Sequence, residues 1–190
     1  FMAPADYEGR SLEVEMDLIE WKVPSGRLLY LCGKDGFPIE RTSPRVHAPG
    51  HQFSAYVRSE AIDLLQADGA LGLGDLHPTL AAIVNDASGK IQNYFQISEK
   101  QKARSQIEEW KSDEIYPFKS AASSPVEVAT MQVFDIIALN VQKTLPDFAD
   151  ASRKTRAFQF RMLRQAIESG PEELQLILTE VLELPPAKQR

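Results

Sequence analysis

Residues 28–41, LLYLCGKDGFPIER, join a continuous apolar run to a glycine-bounded turn. The run LLYLC predicts a central β-strand covered on both faces, because it lacks the polar alternation of a half-buried strand. The turn GKDG (residues 33–36) contains the glycine–lysine pair of a phosphate loop. The Walker A pattern, however, requires glycine in place of Leu28 and serine or threonine in place of Asp35. We therefore reject a Walker loop and predict a hairpin turn in which Asp35-Gly36 supplies the positive φ.

Two further strands are predicted on either side of this stretch. Apolar residues alternate with carboxylates over residues 12–18, which indicates a strand with one buried face. The apolar positions are Leu12, Val14, Met16 and Leu18. Residues 52–59, QFSAYVRS, predict another strand that turns Phe53, Ala55 and Val57 to one side. Residues 38–50 contain three prolines and are predicted to be loop.

Helical periodicity begins near residue 75. One apolar stripe predicts a helix that packs on the sheet, with Pro78 in its first turn. The stripe consists of Leu80, Ile83, Val84, Ala87, Ile91, Tyr94 and Phe95. Residues 97–111 are a polar helical stretch anchored by Ile107 and Trp110.

The C-terminal part is predicted to be helical. Ser124 and Glu127 match a capping box around Pro125, and the apolar residues 131–141 that follow predict a central helix. Residues 152–168 are predicted to turn Phe158, Met162 and Ile167 inward, and residues 171–184 to form a last helix. The predicted organisation is a sheet-and-helix unit at 1–111, a linker at 112–124 and a helical unit at 125–190, which is an α+β fold.

Composition excludes several classes of protein. With 43% hydrophobic and 25% charged residues, the 190-residue chain is predicted to be globular rather than disordered. A net charge of −6 argues against nucleic acid and anionic membrane as partners. Cys32 is the single cysteine, so no internal disulfide can form, and we expect a buried, inert thiol. No apolar stretch approaches the roughly 20 residues of a membrane helix, and a cytoplasmic protein is expected.

The glycine and histidine motifs do not match known sites. In GALGLGDLH (residues 69–77), His77 takes the place of the third glycine of a dinucleotide fingerprint, so a flexible connection is favoured. His47 and His51 are separated by Pro49-Gly50, which prevents the helix that would bring both to one metal ion. We expect no metal site. No Gly-x-Ser-x-Gly elbow is present, so covalent hydrolase chemistry has no support.

Two clusters of charged residues are interpreted as ordinary protein surface rather than as functional sites. The first is a carboxylate row, which is favoured as a solvent-facing strand surface over an acid–base pair or a cation site. Its members are Glu13, Glu15 and Asp17. The second is the basic face of residues 153–164, where no aromatic side chain is interleaved to stack on bases. A solvated face or a salt-bridged partner surface is therefore favoured over a nucleic-acid site. Trp21 and Trp110 are predicted to be packing residues, with contact to a partner as the alternative.

Four stretches together resemble the transducer region that follows the ATP-binding domain in GHKL ATPases. They are EVEMDLIEW (13–21), GRLLYLCGKDGFPIER (26–41), HQFSAYVRSEAIDLL (51–65) and HPTLAAIVNDASGKIQNYF (77–95). That group includes DNA gyrase B, the MutL mismatch-repair proteins, the heat-shock chaperone ATPases and bacterial histidine-kinase-like ATP-binding proteins. The specific resemblance is to large bacterial proteins of the last kind, in which LYLCGKDGFPIER, PGHQFSAYVRS and FQFRMLRQAIESGPEELQLILTEVLELP recur after the ATPase module. It spans nearly the whole chain, at about residues 10–185.

The resemblance implies a ribosomal-S5-like sheet-and-helix fold for the N-terminal half, followed by an α-helical C-terminal half. It also implies a role in coupling ATP binding to movement, often through dimerisation. The chain has neither the Asn-bearing helix motif that holds magnesium nor the Asp-x-Gly-x-Gly adenine motif, which residues 68–72 do not fit. Neither chain end carries a motif of its own, so we expect a piece of a longer protein. ATP and Mg²⁺ are expected in that parent protein, an ATPase, whereas this piece is expected to hold no cofactor and to catalyse nothing.

In this family a transducer lysine can reach the terminal phosphate of ATP, where a cation offsets the charge that develops in transfer. Lys34 and Lys119 are the candidates, and an ordinary exposed lysine is the alternative for each. We expect a non-catalytic transducer whose partners are the N-terminal ATPase domain of the same chain and a second copy in a homodimer. The alternative is a protein-interaction or dimerisation module without a role in ATP coupling, suggested by five aligned apolar residues in the predicted helix at 171–184.

Overall fold

The computed structural model describes residues 2–118, 122, 124–145, 150–170 and 172. Strands in two sheets occupy the N-terminal part and helices follow, which confirms the predicted α+β class. The chain divides into two compact units, unit 1 at Phe1–Glu99 and unit 2 at Lys100–Arg190. The sequence instead places a boundary over residues 112–124.

Unit 1 contains a small and a large β-sheet. In the small sheet, β1 (Ala5–Tyr7) pairs antiparallel with β2 (Arg10–Leu12). The large sheet contains β3 (Glu15–Trp21), β4 (Arg27–Cys32), β5 (Pro38–Thr42) and β6 (Gln52–Arg58). Their order is β3-β6-β4-β5. The β4 and β6 strands run parallel, and the β3–β6 and β4–β5 pairs are antiparallel.

One face of the large sheet forms the core of unit 1. Phe53, Ala55 and Val57 are fully buried on that face, as the sequence predicts. They pack with residues of α1 (Glu60–Ala67) and α2 (Pro78–Ser112). The predicted α2 stripe is buried except for Tyr94, which is 48% exposed. The α2 helix runs without interruption through the two stretches that the sequence predicts to be helical.

The other face of the large sheet stays partly open to solvent. Leu28 and Tyr30 of β4 are only half-buried there, so β4 is central in the sheet but the predicted cover on both faces is wrong. Tyr30 stacks on Tyr56 with ring centroids 4.9 Å apart. Trp21 is 40% exposed, and its Nε1 donates to Ser54 Oγ at 3.1 Å. The prediction of a packing role is therefore wrong for Trp21.

Two strand predictions are corrected by the structure. The alternating residues 12–18 do not form one strand, because β2 ends at Leu12 and β3 begins at Glu15, in different sheets. Part of the predicted proline loop is β5. Pro38 is the first residue of this edge strand, where a missing N–H disturbs the sheet least. Proline content therefore excludes a central strand but not an edge strand.

Two helical segments of unit 1 were not predicted. The α1 helix follows β6 directly and begins at an N-cap formed by Ser59. A 3₁₀ helix occupies Leu71–Leu76 within the glycine-rich stretch, where Gly74 has a φ of 53°. This stretch follows a helix rather than a strand, which agrees with the rejection of a dinucleotide fingerprint.

Unit 2 contains α3 (Pro125–Thr144) and α4 (Arg153–Ser169). The Ser124 side chain accepts from the Glu127 backbone N–H at 3.2 Å, so the predicted cap is confirmed. Trp110 is fully buried, as predicted, and packs edge-on against Phe160. Among the described residues, no helix combines the length and apolarity needed to cross a bilayer.

Two burial predictions in unit 2 are wrong. Phe158 is 61% exposed, because α4 turns Phe160, Leu163 and Ala166 to the core, whereas Met162 and Ile167 are half-buried. The α3 helix is not central, since it buries only one face. Its Val126 is 75% exposed and its Ile136 is 61% exposed. Apart from Glu172, the predicted helix at 171–184 lies outside the described residues.

Candidate functional site

The Lys34 turn, defined as residues 33–36, joins β4 to β5. Gly33 N–H donates to the Phe37 carbonyl at 3.1 Å, and Gly36 N–H donates to the Gly33 carbonyl at 2.9 Å. Gly36 has a φ of 88°, so the predicted hairpin turn with a positive-φ glycine is confirmed. A Walker loop would lead into a helix instead, and the hairpin agrees with its rejection.

The start of α1 lies beside this turn because β4 and β6 are parallel and end at the same sheet edge. Ser59 follows β6, and its backbone N–H donates to the Cys32 carbonyl at 3.3 Å. The Ser59 hydroxyl donates to the Glu13 carbonyl at 2.7 Å and accepts from the Ala61 N–H at 3.2 Å. One buried serine therefore caps the helix and ties it to two chain segments.

Asp63 holds the backbone of the turn from the first turn of α1. Its Oδ2 accepts from the Lys34 backbone N–H at 2.8 Å. A β-carbon added to Gly33 would lie 2.2 Å from Asp63 Oδ1, well inside van der Waals contact. The Asp63 carboxylate can take this position because residue 33 is glycine, and a β-carbon there would require the carboxylate to shift.

Glu60, also in the first turn of α1, holds the side chain of Lys34. The Lys34 Nζ lies 3.1 Å from Glu60 Oε2, and the Lys34 side chain is 75% exposed. Arg10 approaches the other Glu60 oxygen at 3.4 Å. The hydrogen bond from Lys34, followed by the positive charges of Lys34 and Arg10, lowers the pKa of the Glu60 carboxyl. Solvent screens this pair, so it contributes little to stability and can exchange readily.

Arg58, at the end of β6, bridges two carboxylates of β3. Its Nη2 lies 3.1 Å from Glu15 and 3.0 Å from Asp17. The predicted carboxylate row is therefore ion-paired at these two positions, whereas Glu13 lies before β3. Cys32 pairs with Arg58 across the parallel strands and is fully buried, as predicted. Burial raises the pKa of the Cys32 thiol.

A cleft of about 380 Å³ opens between these elements. Its polar lining residues are Glu13, Glu15, Lys34, Arg58, Ser59 and Glu60. The two cations can attract an anion, but each already faces a carboxylate. The cleft therefore lacks the surplus positive charge that a polyphosphate would need.

The histidines lie in other environments. His51 is buried, with Nδ1 2.8 Å from Glu20 and Nε2 3.1 Å from Glu99. His77 stacks on Tyr7, with ring centroids 6.1 Å apart, and His47 is exposed. Within the described part of the chain, no group of three or more histidine, cysteine, aspartate or glutamate side chains is arranged so that it could hold a metal ion.

The predicted basic face of residues 153–164 is largely engaged in ion pairs. Arg153 pairs with Glu114 and Arg164 with Glu168. Arg156 pairs with Asp113 at 3.1 Å, and its side chain is only 13% exposed. Arg164 also donates to the Pro117 carbonyl and lies over the Phe118 ring. These three arginines therefore pair with carboxylates of the same chain, an arrangement that neither the solvated face nor the salt-bridged partner surface expected from the sequence describes.

Of the two lysines predicted from the sequence to contact phosphate, only Lys34 lies among the described residues. The structure places Lys34 on a fixed turn, whereas Lys119 lies outside the described residues. The partners Arg58, Glu60 and Asp63 were not recognised in the sequence. A signal was present, since Ser59 precedes two acidic residues at spacings typical of a first helical turn.

Comparison with known proteins identifies no relative. No protein-family model matches the chain, and no match was found among curated proteins or solved structures.

Proposed function

We propose that the chain is a non-catalytic transducer region of a bacterial GHKL-type ATPase, acting in the cytoplasm. It couples the binding of ATP and Mg²⁺ in an N-terminal domain of the same protein to conformational change. Its N-terminal half has an S5-like fold in this proposal, and Lys34 provides a cation to the terminal phosphate. The observation that supports the proposal is the way in which the Lys34 turn presents its side chain.

The backbone of Lys34 is held by several hydrogen bonds, whereas its ammonium group has one solvent-exposed partner, Glu60. Asp63 and the hairpin hydrogen bonds hold the backbone, but the side chain is 75% exposed on a flexible four-carbon stem. Glu60 pairs with the ammonium group through a solvent-screened contact. A phosphate group of higher charge can therefore replace Glu60 without disturbing the turn. A lysine that contacts the phosphate of a nucleotide bound to another domain needs a fixed backbone and a side chain that can leave its resting partner.

The negative net charge of unit 1 supports a nucleotide-binding site that lies in another domain. Residues 1–99 contain 14 acidic and 8 basic residues, so this unit carries the entire net charge of −6. Such a surface repels free polyphosphate. In this proposal the N-terminal domain holds the ATP and brings it to Lys34.

Calorimetry and kinetics test the proposal at two levels. The chain alone is expected to show no micromolar binding of ATP with Mg²⁺ and no turnover. In the parent protein, Lys34→Met is expected to lower the ATPase rate by about 100-fold, because one preorganised cation is lost. The matched control is Lys22→Met, an exposed lysine just after β3, at the opposite end of the sheet. An unchanged rate in Lys34→Met would remove Lys34 from the proposal.

Lys119 is the second lysine of the proposal and is tested separately. Lys119→Met in the parent protein should lower the ATPase rate only if that residue reaches the phosphate. A loss in Lys119→Met with no loss in Lys34→Met would keep transduction and reassign the lysine. If neither Lys34→Met nor Lys119→Met changes the ATPase rate, neither lysine contacts the phosphate and the proposed coupling to ATP loses its support.

The alternative function is a protein-interaction or dimerisation module without a role in ATP coupling. Its original support, the helix predicted at 171–184, lies outside the described residues except for Glu172. A different observation favours it, namely the exposed apolar side chains of α3. An interaction module would keep the parent's ATPase rate when Lys34 and Lys119 are both replaced.

A further inference from the structure

The large sheet of unit 1 has two edge strands, β3 and β5, and they differ in how well they are protected against pairing with a further strand. The β5 strand is five residues long and begins with Pro38, and its pairing with β4 is irregular between Leu31 and Cys32. Short length, proline and irregular pairing are features by which proteins prevent contact between sheet edges. The β3 strand has seven residues, contains no proline and pairs with β6 in an unbroken register. The β3 edge therefore lacks these three protections.

The hydrogen bonds of the sheet show which backbone groups of β3 point outward. Phe53 N–H donates to the Gly26 carbonyl, on the β4 side of β6, at 3.1 Å. The hydrogen-bonding direction alternates along a strand, so the even-numbered residues of β6 bond to β3. In the observed register their partners are the odd-numbered residues of β3. The outward groups are therefore the N–H and carbonyl of Met16, Leu18 and Glu20.

These outward backbone groups have no hydrogen-bond partner among the described residues, where β3 pairs with β6 alone. The open part of the edge begins after Val14, because Met2 N–H donates to the Val14 carbonyl at 3.4 Å. From Glu15 to Trp21 every residue is exposed or half-buried. A regular row of unpaired N–H and carbonyl groups in contact with solvent is a template for one more strand.

The charges of β3 indicate the chemistry of that strand. Glu15 and Asp17 share a single cation, Arg58, so their two negative charges are not fully offset. Glu20 lies on the other face, with its Oε1 2.8 Å from His51 Nδ1. The strand contains no basic residue. Opposite charges on neighbouring strands stabilise their pairing and like charges destabilise it, so a basic strand fits this edge and an acidic one does not.

The two faces of β3 also indicate an alternating pattern in the added strand. Met16 and Leu18 pack on the core of unit 1 but remain half-buried, so apolar side chains beside them would extend that core. Glu15 and Asp17 lie on the opposite face, where their side chains are 46% and 61% exposed. Because side chains alternate between the faces of a sheet, apolar and basic residues must alternate in the added strand.

We propose that the outer edge of β3 binds an extended basic segment of a partner protein, which joins the large sheet as a fifth strand. Lysine or arginine side chains of this segment face Glu15 and Asp17, and its apolar side chains face Met16 and Leu18. In this mode of recognition the backbone hydrogen bonds provide affinity and the alternating side chains provide specificity. The inference is independent of ATP coupling, because it needs neither a nucleotide nor Lys34.

A seven-residue peptide in which lysine and valine alternate is the probe for this edge. The 190-residue chain is expected to bind it with a dissociation constant below about 1 mM, measured by NMR titration. In the complex, the backbone N–H groups of Leu18 and Glu20 should exchange with solvent at least about 10-fold more slowly than in the free chain. The N–H groups of Asp17 and Ile19 already face β6, so their exchange should change little.

Modified peptides separate strand addition from simple charge attraction. A peptide in which glutamate and valine alternate should not bind. Two further peptides keep every lysine but carry N-methyl groups, one on the valine nitrogens and the other on the lysine nitrogens. At least one of them should bind about 10-fold more weakly than the parent peptide, because N–H groups that donate to β3 are lost. Equal binding by all three lysine peptides would overturn the proposal.

A pair of lysine variants of the chain tests the position of the added strand. Ile19→Lys should weaken binding of the lysine–valine peptide by about 10-fold, because it places a cation beside the peptide's own lysines. Val23→Lys is the matched control, because it adds the same charge at an exposed apolar residue just beyond β3. Its affinity should stay within about twofold of wild type, and circular dichroism should show that both variants remain folded.

Three results would overturn the proposed edge site. One is an absence of binding at 1 mM lysine–valine peptide, a concentration at which about half of the chain should be occupied. Another is an equal loss of affinity in Ile19→Lys and Val23→Lys, which would assign the binding to net charge. The third is slow exchange of the Leu18 N–H in the free chain, which would mean that the edge is already covered.

Discussion

A carboxylate oxygen of Asp63 occupies the space beside Gly33, where a β-carbon would lie 2.2 Å from Asp63 Oδ1. The other oxygen of that carboxylate accepts from the Lys34 backbone N–H at 2.8 Å. The Asp63 carboxylate can therefore bind the Lys34 turn in this position because residue 33 has no side chain.

Gly33→Ala is expected to lower the free energy of unfolding by about 2 kcal/mol, because the Asp63 carboxylate must shift and lose its hydrogen bond with the Lys34 N–H. Guanidinium titration followed by circular dichroism measures this loss. In an Asp63→Ala background the added cost of Gly33→Ala should be much smaller, since the clashing oxygen is gone. Gly89→Ala is a control in α2 with open space around it, and it should raise stability by about 0.5–1 kcal/mol. Equal losses from Gly33→Ala in both backgrounds would contradict the steric account.

The pKa of Glu60 is expected to report the position of the Lys34 side chain. The hydrogen bond from Lys34 is the main cause that holds this pKa below its ordinary value. In Lys34→Met the pKa should therefore rise toward the ordinary value of about 4.3. Carboxyl NMR titration measures the shift, and Lys22→Met should leave it unchanged. A Glu60 pKa that is the same in wild type and Lys34→Met would mean that the pair does not form in solution.

The Cys32 thiol is expected to resist labelling in the folded protein. The side chain is fully buried, so a reagent cannot reach the sulfur. Burial also raises the pKa of the thiol, so little of the reactive thiolate is present at neutral pH. Reaction with an aromatic disulfide reagent at neutral pH should be at least about 1,000-fold slower than in guanidinium, where one thiol per chain should react. Rapid labelling of the native chain would show that β4 opens easily.

Asp135 is expected to make unit 2 less stable as the pH rises above the ordinary aspartate pKa of about 3.9. Burial raises the pKa of Asp135, while the hydrogen bond from Tyr116, at 2.8 Å, acts in the opposite direction. The folded chain therefore binds the Asp135 proton more tightly than the unfolded chain does. This contribution to stability is greatest below the unfolded pKa and falls as the pH passes through the two values.

Thermal unfolding followed by circular dichroism at a series of pH values measures this dependence. Asp135→Asn should flatten it, because the titrating group is removed. Tyr116→Phe should steepen it, because the bond that favours the carboxylate is lost. The same slope in wild type and Asp135→Asn would assign the dependence to another group.

Sequence patterns predicted those strands and helix caps that depend mainly on residues close together in the sequence. The structure confirms the strand at LLYLC, although not its predicted cover on both faces. It also confirms the buried face of Phe53, Ala55 and Val57 and the cap at Ser124. The errors arise where packing decides between two local options. Phe158 lies on the predicted apolar face of α4, but the contacts with Trp110 and Phe134 are made by Phe160 instead.

The candidate site could be predicted only in part for a related reason. Lys34 was recognised because it lies in a glycine-bounded turn after a strand. Its partners Glu60 and Asp63 are 26 and 29 residues away in sequence. They reach the turn because β4 and β6 are parallel neighbours, and strand order is a tertiary property that local spacing does not reveal.

The two tryptophans provide each unit with its own optical reporter. Trp21 in unit 1 is partly exposed, and Trp110 in unit 2 is fully buried. Their emission wavelengths should therefore differ without any label, because indole fluorescence follows the polarity of its surroundings. Trp21→Phe and Trp110→Phe would each leave one signal. A pair of single-tryptophan proteins can thus follow the unfolding of each unit separately.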